Sequence, residues 1–271
     1  MLNELKKIHI FIMRDFRILF TYKLAFSIQF ISMIFNVFYF IFFGSMFGNA
    51  DLPQLQLYGG NFISYLLVGS IGWGLLWSIM DTTAPSLRQE MMMGTLESIA
   101  LTKTKFVTMM IAHALYGSFF GILSMAILIS IGFIFFQITA FGSATLFTLL
   151  IFILSATMMF GFGLIFAGLT IQLKNIGAFI LLLQNVSMFF CGVYFPITVL
   201  PQSLQPVANY IPFYYAIEGL RRSLVPTTPV EELLFYSLVL IVLSIIFILL
   251  GLYFLRRSLI KAKQDGSLSH Y

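Results

Sequence analysis

Charge is what this sequence most lacks. Only 9% of its 271 residues are charged while 60% are apolar, against about 25% charged in an ordinary soluble domain, and that balance excludes a soluble globular protein. With 32 phenylalanines and 17% aromatics the chain is equally unlike a disordered one, which needs high charge and few large apolar side chains. Cys191 is the only cysteine, so an intrachain disulfide and a cysteine-based metal cluster are excluded. The histidines His9, His113 and His270 stand far apart, and no H-E-x-x-H occurs. A G-x-x-x-x-G-K-[ST] phosphate loop is missing too, so the chain binds no nucleotide by that route.

What is present is apolar sequence in long stretches. A helix crosses about 30 Å of hydrocarbon with about 20 mainly apolar residues. The gaps between formal charges at 24–50, 52–80, 106–173, 175–217 and 233–255 are long enough, and the third holds two crossings if it turns at its most polar part, Gln137 to Ser143. Six spans are therefore expected, over 24–43, 62–80, 108–136, 144–171, 175–195 and 233–255. The net charge is +5, but the basic residues fall in small sets between spans, as a topology signal rather than a nucleic-acid footprint. With the N-terminus inside, every Lys and Arg except Arg221 and Arg222 lies on the cytoplasmic side, and an even number of spans brings the basic tail, 256–271, back to it. Residues 1–23 lack the short apolar core of a cleavable signal peptide.

Three segments are not plain spans. Residues 1–22 read as an amphipathic helix in the interface plane, with Leu5, Ile8, His9, Ile12, Phe16, Leu19 and Phe20 on one face and Asn3, Lys7, Arg14 and Arg17 elsewhere. The charged loop 81–106 reads as two short helices: Ser86 and Gln89 as a capping box after Pro85, Gly94 as a left-handed stop, and Thr95 as the cap of the second. In that second helix Leu96, Ile99 and Ala100 face the membrane body while Glu97 and Lys103 face outward. Residues 196–232 hold six of the eight prolines, Pro196, Pro201, Pro206, Pro212, Pro226 and Pro229. They are expected as short re-entrant helices in which Glu218 pairs with Arg221 and Arg222.

Intramembrane carboxylates are missing from every expected span, which speaks against a proton-coupled secondary transporter or a channel. His113 reads as a lone hydrogen-bonded or interfacial imidazole in the third span, and Asp81 as an interfacial residue near the next helix's N-terminus. Gly117 with Gly121, and Gly161, Gly163 and Gly168, read as close-packing points between helices.

The whole chain resembles the membrane subunit of an ABC-2-type exporter, in its drug-resistance and nodulation-factor-like group. Arg88-Gln-Glu90 followed by Gly94-Thr95-Leu96-Glu97 looks like that family's E-x-x-x-G-T-L-E coupling loop. Gly192-Val-Tyr194-Phe195-Pro196, then Leu200-Pro201, Ile211-Pro212 and Glu218-Gly-Leu-Arg221, resemble its second signature. The sequence departs from many relatives in having Thr102-Lys103-Thr104-Lys105 where they place a proline.

The resemblance implies an all-α membrane domain, 1–271, with two spans at 24–80, three at 108–195 and a sixth at 233–255. It implies a homodimer of permeases in the plasma membrane and two copies of a cytoplasmic ABC ATPase. That ATPase binds ATP and Mg, this chain holds no cofactor of its own, and membrane lipid is the surroundings. Arg88, Glu90, Gly94, Thr95, Leu96 and Glu97 become the coupling residues. Asn36, Tyr39, Trp73, Trp77, Gln184, Asn185 and Tyr194 become candidates for the translocation path of a hydrophobic or amphipathic substrate, with a lipid-linked glycan as the alternative cargo. The topology is checked by a cysteine probe in a variant lacking Cys191: at Gln202 it labels from outside intact cells, and at Gln264 only after permeabilisation. Labelling of the Gln264 probe in intact cells overturns the six-span, both-ends-inside arrangement.

Overall fold

A computed structural model describes residues 2–46, 55, 62–136, 145–225 and 227–265. The expected turn at Gln137 to Ser143 and the side chain of Asn36 lie outside the described residues. Among the described residues ten α-helices follow one another: α1 (Leu2–Thr21), α2 (Lys23–Met46), α3 (Phe62–Met92), α4 (Thr95–Leu101), α5 (Phe106–Phe136), α6 (Thr145–Leu173), α7 (Gly177–Phe190), α8 (Gln205–Ala208), α9 (Pro212–Ser223) and α10 (Val230–Gln264). A 3-10 turn, Ile197–Val199, precedes α8, and no strand occurs among the described residues.

Three helical stretches among the described residues are long and apolar enough to cross a membrane: Phe106–Ser124, Leu146–Leu173 and Val230–Gln264. Of the other expected spans, α7 is short for a local reason. α7 has only 14 residues, about 21 Å at 1.5 Å per residue, because Lys174 before it and Gly192 after it both adopt left-handed backbone, with φ of 60° and 66°. α3 is a long helix whose polar residues Ser70, Thr83 and Glu90 are buried against neighbouring helices.

The charged loop also departs from expectation. α3 runs unbroken through Pro85 to Met92, so no separate helix starts at Ser86. The Ser86 hydroxyl donates backward to the Thr83 carbonyl instead of capping, and the hydroxyls of Thr82 and Thr83 bond to carbonyls one turn back. A run of hydroxyls that bond within the helix around a proline lets it bend without stopping. Asp81 consequently lies in mid-helix and not at a helix start. The break comes at Gly94, with φ 68°, which only glycine adopts cheaply.

Small residues set the packing. α6 lies along α10, and α3 packs on both α5 and α6. A Cβ on Gly161 would fall 2.6 Å from the Phe247 carbonyl carbon, and one on Gly121 would fall 3.2 Å from the Leu75 Cα, so glycine is what lets these backbones touch. Polar pins hold the α6–α10 pair in register: the Ser244 hydroxyl donates to the Leu154 carbonyl at 2.9 Å, and the Gln172 amide donates to the Ser258 hydroxyl at 2.7 Å. The core divides into an upper cluster around Trp73, Trp77, Met158 and Phe213, and a lower one around Leu87, Met91, Leu96, Met109 and Leu255.

Gly161→Ala should destabilise the purified protein by about 1–3 kcal/mol, the usual cost of overpacking, seen as a lower thermal midpoint in detergent. Gly74→Ala, where a Cβ meets nothing within 4 Å, should leave the midpoint unchanged or raise it. Equal midpoints for the two variants would show that the α6–α10 contact does not require glycine.

Candidate functional site

The charged residues of the loop and of α1 converge on one place. Glu90, near the end of α3, is only 5% exposed. Its Oε1 lies 2.6 Å from Nη1 of Arg14 in α1. Its Oε2 accepts a hydrogen bond from the hydroxyl of Thr95, the first residue of α4, and that hydroxyl also reaches the Glu90 carbonyl. Thr95 was expected to cap α4 through its side chain. Gly94 takes the cap position without a side-chain bond, and the Thr95 hydroxyl ties α4 to α3.

Arg14 extends the network. It shares Asp15 Oδ1 through two N–H groups at 3.0 and 3.1 Å, while Asp15 Oδ2 lies 2.8 Å from Nδ1 of His113 in α5. His113 is therefore not alone: sequence spacing cannot bring a carboxylate from α1 beside it. One chain of polar contacts, His113–Asp15–Arg14–Glu90–Thr95, joins α5, α1, α3 and α4. The sequence places Arg14 and Lys7 off the apolar face of an interfacial helix, and in the structure both are half-buried and meet partners on other parts of the protein.

A second set of contacts holds the far end of the loop. The Lys7 ammonium donates to Glu4 at 2.8 Å and to the Lys103 carbonyl at 2.7 Å, and the Thr108 hydroxyl donates to Glu4 at 2.6 Å. These bonds to its charged form, that from Lys7 first, hold the Glu4 carboxyl below its ordinary range. α1 thus grips the segment between α4 and α5.

α4 itself is anchored by one side chain. Leu96 is fully buried in the lower cluster, Ile99 and Ala100 are half-buried, and Glu97, Ser98 and Lys103 are exposed. The expected division of this helix into an inward apolar edge and an outward charged edge holds. Arg88 is half-buried on α3.

At the opposite end, the second group of singled-out residues also meets. Arg221 is 2% exposed. Its guanidinium stacks on the Tyr65 ring at 3.7 Å and donates to the Gly192 carbonyl at 3.0 Å, which the Tyr65 hydroxyl reaches at 2.7 Å. Glu218 lies 3.5 Å from Arg221 and 3.0 Å from Arg222, and Arg222 also contacts Glu232 of α10 at 3.3 Å. The pairing read from the sequence is present, but buried, so values for exposed helix pairs do not apply. Phe195 packs edge-on against Phe189 at 5.2 Å, Pro196 is buried, and Pro212 opens α9 at its first turn while Pro201 is exposed.

The candidate path residues do not share one surface. Trp73 and Trp77 are 6% and 3% exposed, stacked at 5.2 Å and met edge-on by Phe213, so they are core side chains in this chain. Tyr39 and Asn185 are exposed, and Gln184 and Tyr194 are half-buried.

Loss of either partner of the Arg14–Glu90 pair should be non-additive. In a cycle of Arg14→Ala, Glu90→Ala and the double variant, thermal stability should give a coupling energy of about 0.5–3 kcal/mol. Additive losses would mean that the two side chains do not act on each other.

In comparison with known proteins, a family model described as ABC-2 type transporter matches residues 8–225. The match ends before α10, yet α10 lies along α6 in the same body. No curated protein matches the chain.

Proposed function

The chain belongs to the ABC-2 type transporter family, and on that premise we propose that it is the permease subunit of an exporter that moves a hydrophobic or amphipathic substrate outward across the plasma membrane. Membership makes it a membrane transport component that associates with an ABC ATPase. In the proposed assembly two permease copies pair and two ATPase copies supply ATP, Mg and energy. The crossings are α2, α3, α5, α6, α7 with the turns that follow it, and α10, with both termini in the cytoplasm.

The observation that carries this reading is the mounting of α4. A separate motor can move membrane helices only through an element that is both exposed to the motor and rigidly tied to those helices. α4 has both properties: Glu97 and Ser98 face outward, Leu96 is sunk in the core, and Thr95 is bonded to Glu90. Arg14 of α1 meets the same carboxylate, so closure of the ATPase against α4 pulls on α1 and α3 together. Glu90 therefore acts inside the permease as a positioning residue, while Glu97 is the acid offered to the ATPase. The exposed residues Tyr39 and Asn185 support a path or pairing surface along α2 and α7.

Purified chain alone should turn over no ATP, with hydrolysis appearing only when the ATPase subunit is added; turnover by the isolated chain, free of contaminating ATPase, contradicts this. Glu97→Ala should weaken pull-down of the ATPase by about tenfold or more, since losing one partner of a buried interfacial charge pair costs about 2–5 kcal/mol. Loss of a carboxylate at a helix start alone costs about 0.3–1 kcal/mol. Binding, hydrolysis and export that all match wild type would remove Glu97 from the coupling contact.

A further inference from the structure

Beneath the coupling loop, α1, α3 and α5 enclose a cavity of about 500 Å³. Its lining is acidic: Asp15, Asp81 and Glu90 contribute to it together with a single cation, Arg14. Arg14 is already committed to Glu90 and Asp15, whereas Asp81 forms no ion pair among the described residues. His113 also lines the cavity. It is 5% exposed, its Nδ1 is taken by Asp15, and its Nε2 has no hydrogen-bond partner among the described residues. A buried imidazole nitrogen left without a partner is costly. The His113 side chain lines a cavity that also holds the Asp81 carboxylate, which has no cationic partner among the described residues. The lining also has an apolar part, with Ile18 and Leu19 from the last turn of α1, Tyr22 just after it, and Met93 just after α3.

We propose that this cavity binds the head group of a protonated primary-amine amphiphile, with the ammonium against Asp81 and His113 Nε2 and the alkyl chain leaving past Ile18, Leu19 and Tyr22. The charge balance favours a cation over an anion. A primary ammonium, with three N–H donors, serves a carboxylate and an imidazole acceptor at once. An amine without N–H groups satisfies only the charge, and a neutral alcohol lacks it. The inference deepens the proposed function by naming a cargo class, and it rests on that reading for the inner leaflet as the source of the ligand. The binding step itself needs no ATPase.

The test uses full-length chain in phosphatidylcholine nanodiscs and radiolabelled dodecylamine in a proximity binding assay without ATP or ATPase. The expected result is saturable binding, displaced by unlabelled dodecylamine but poorly by dodecanol or dodecyltrimethylammonium. Asp81→Asn and His113→Gln should each weaken it by about tenfold or more, the usual scale for a hydrogen bond to a charged group. Asp81 is exposed and forms no ion pair among the described residues, so Asp81→Asn decides alone if His113→Gln lowers the thermal midpoint. Unchanged affinity in folded Asp81→Asn, or equal competition by dodecanol or the trimethyl analogue, overturns the proposal. The two readings separate cleanly: failed binding with intact ATPase pull-down removes only the amine site. Intact binding with no ATPase association removes only the energy source.

Discussion

A carboxylate withdrawn from water must find positive charge or hydrogen-bond donors, and the lower half of this molecule is arranged around that requirement at Glu90. Its two oxygens meet different elements: Arg14 of α1 on one side and the Thr95 hydroxyl of α4 on the other. Three otherwise separate helices, the end of α3, the interfacial α1 and the short α4, thereby share one set of contacts. A seven-residue helix such as α4 is too short to persist alone in water. Its rigidity comes from this bond and from Leu96 in the core.

The opposite half repeats the solution with opposite charge. Arg221 is buried, and a Tyr65 ring face, backbone carbonyls after α7 and Glu218 surround it. A Cβ on Gly69 would overlap both the Val193 carbonyl and Arg221, so glycine lets α3 reach this knot. α3 is thus fixed at both ends, by a cation–π contact at Tyr65 above and an ion pair at Glu90 below. A push delivered at α4 therefore has a stiff route along a helix of 31 residues.

Much of this was legible from residues. The apolar edge of α4 followed from the spacing of Leu96, Ile99 and Ala100, the break from Gly94, and the Glu218 pair from helical spacings of three and four. What local spacing hid was long-range: nothing within a helix's reach of His113 announces Asp15, almost a hundred positions away, and nothing near Glu90 announces Arg14. The unbroken α3 was missed because proline and a serine three residues before a glutamine imitate a helix start. The contacts of α1's basic residues could not be read from its own spacing, because their partners Glu90 and the Lys103 carbonyl lie elsewhere in the chain.

The central claim is that α4 is where a separate ATPase takes hold, and a photo-crosslinking amino acid at exposed Ser98 tests it in intact cells. The account predicts that irradiation joins the chain to a protein that carries a phosphate loop and an ABC signature, while the same probe at exposed Leu249 of α10 does not. An ATPase that co-purifies with the chain but never crosslinks from Ser98 or from neighbouring Glu97 would contradict it.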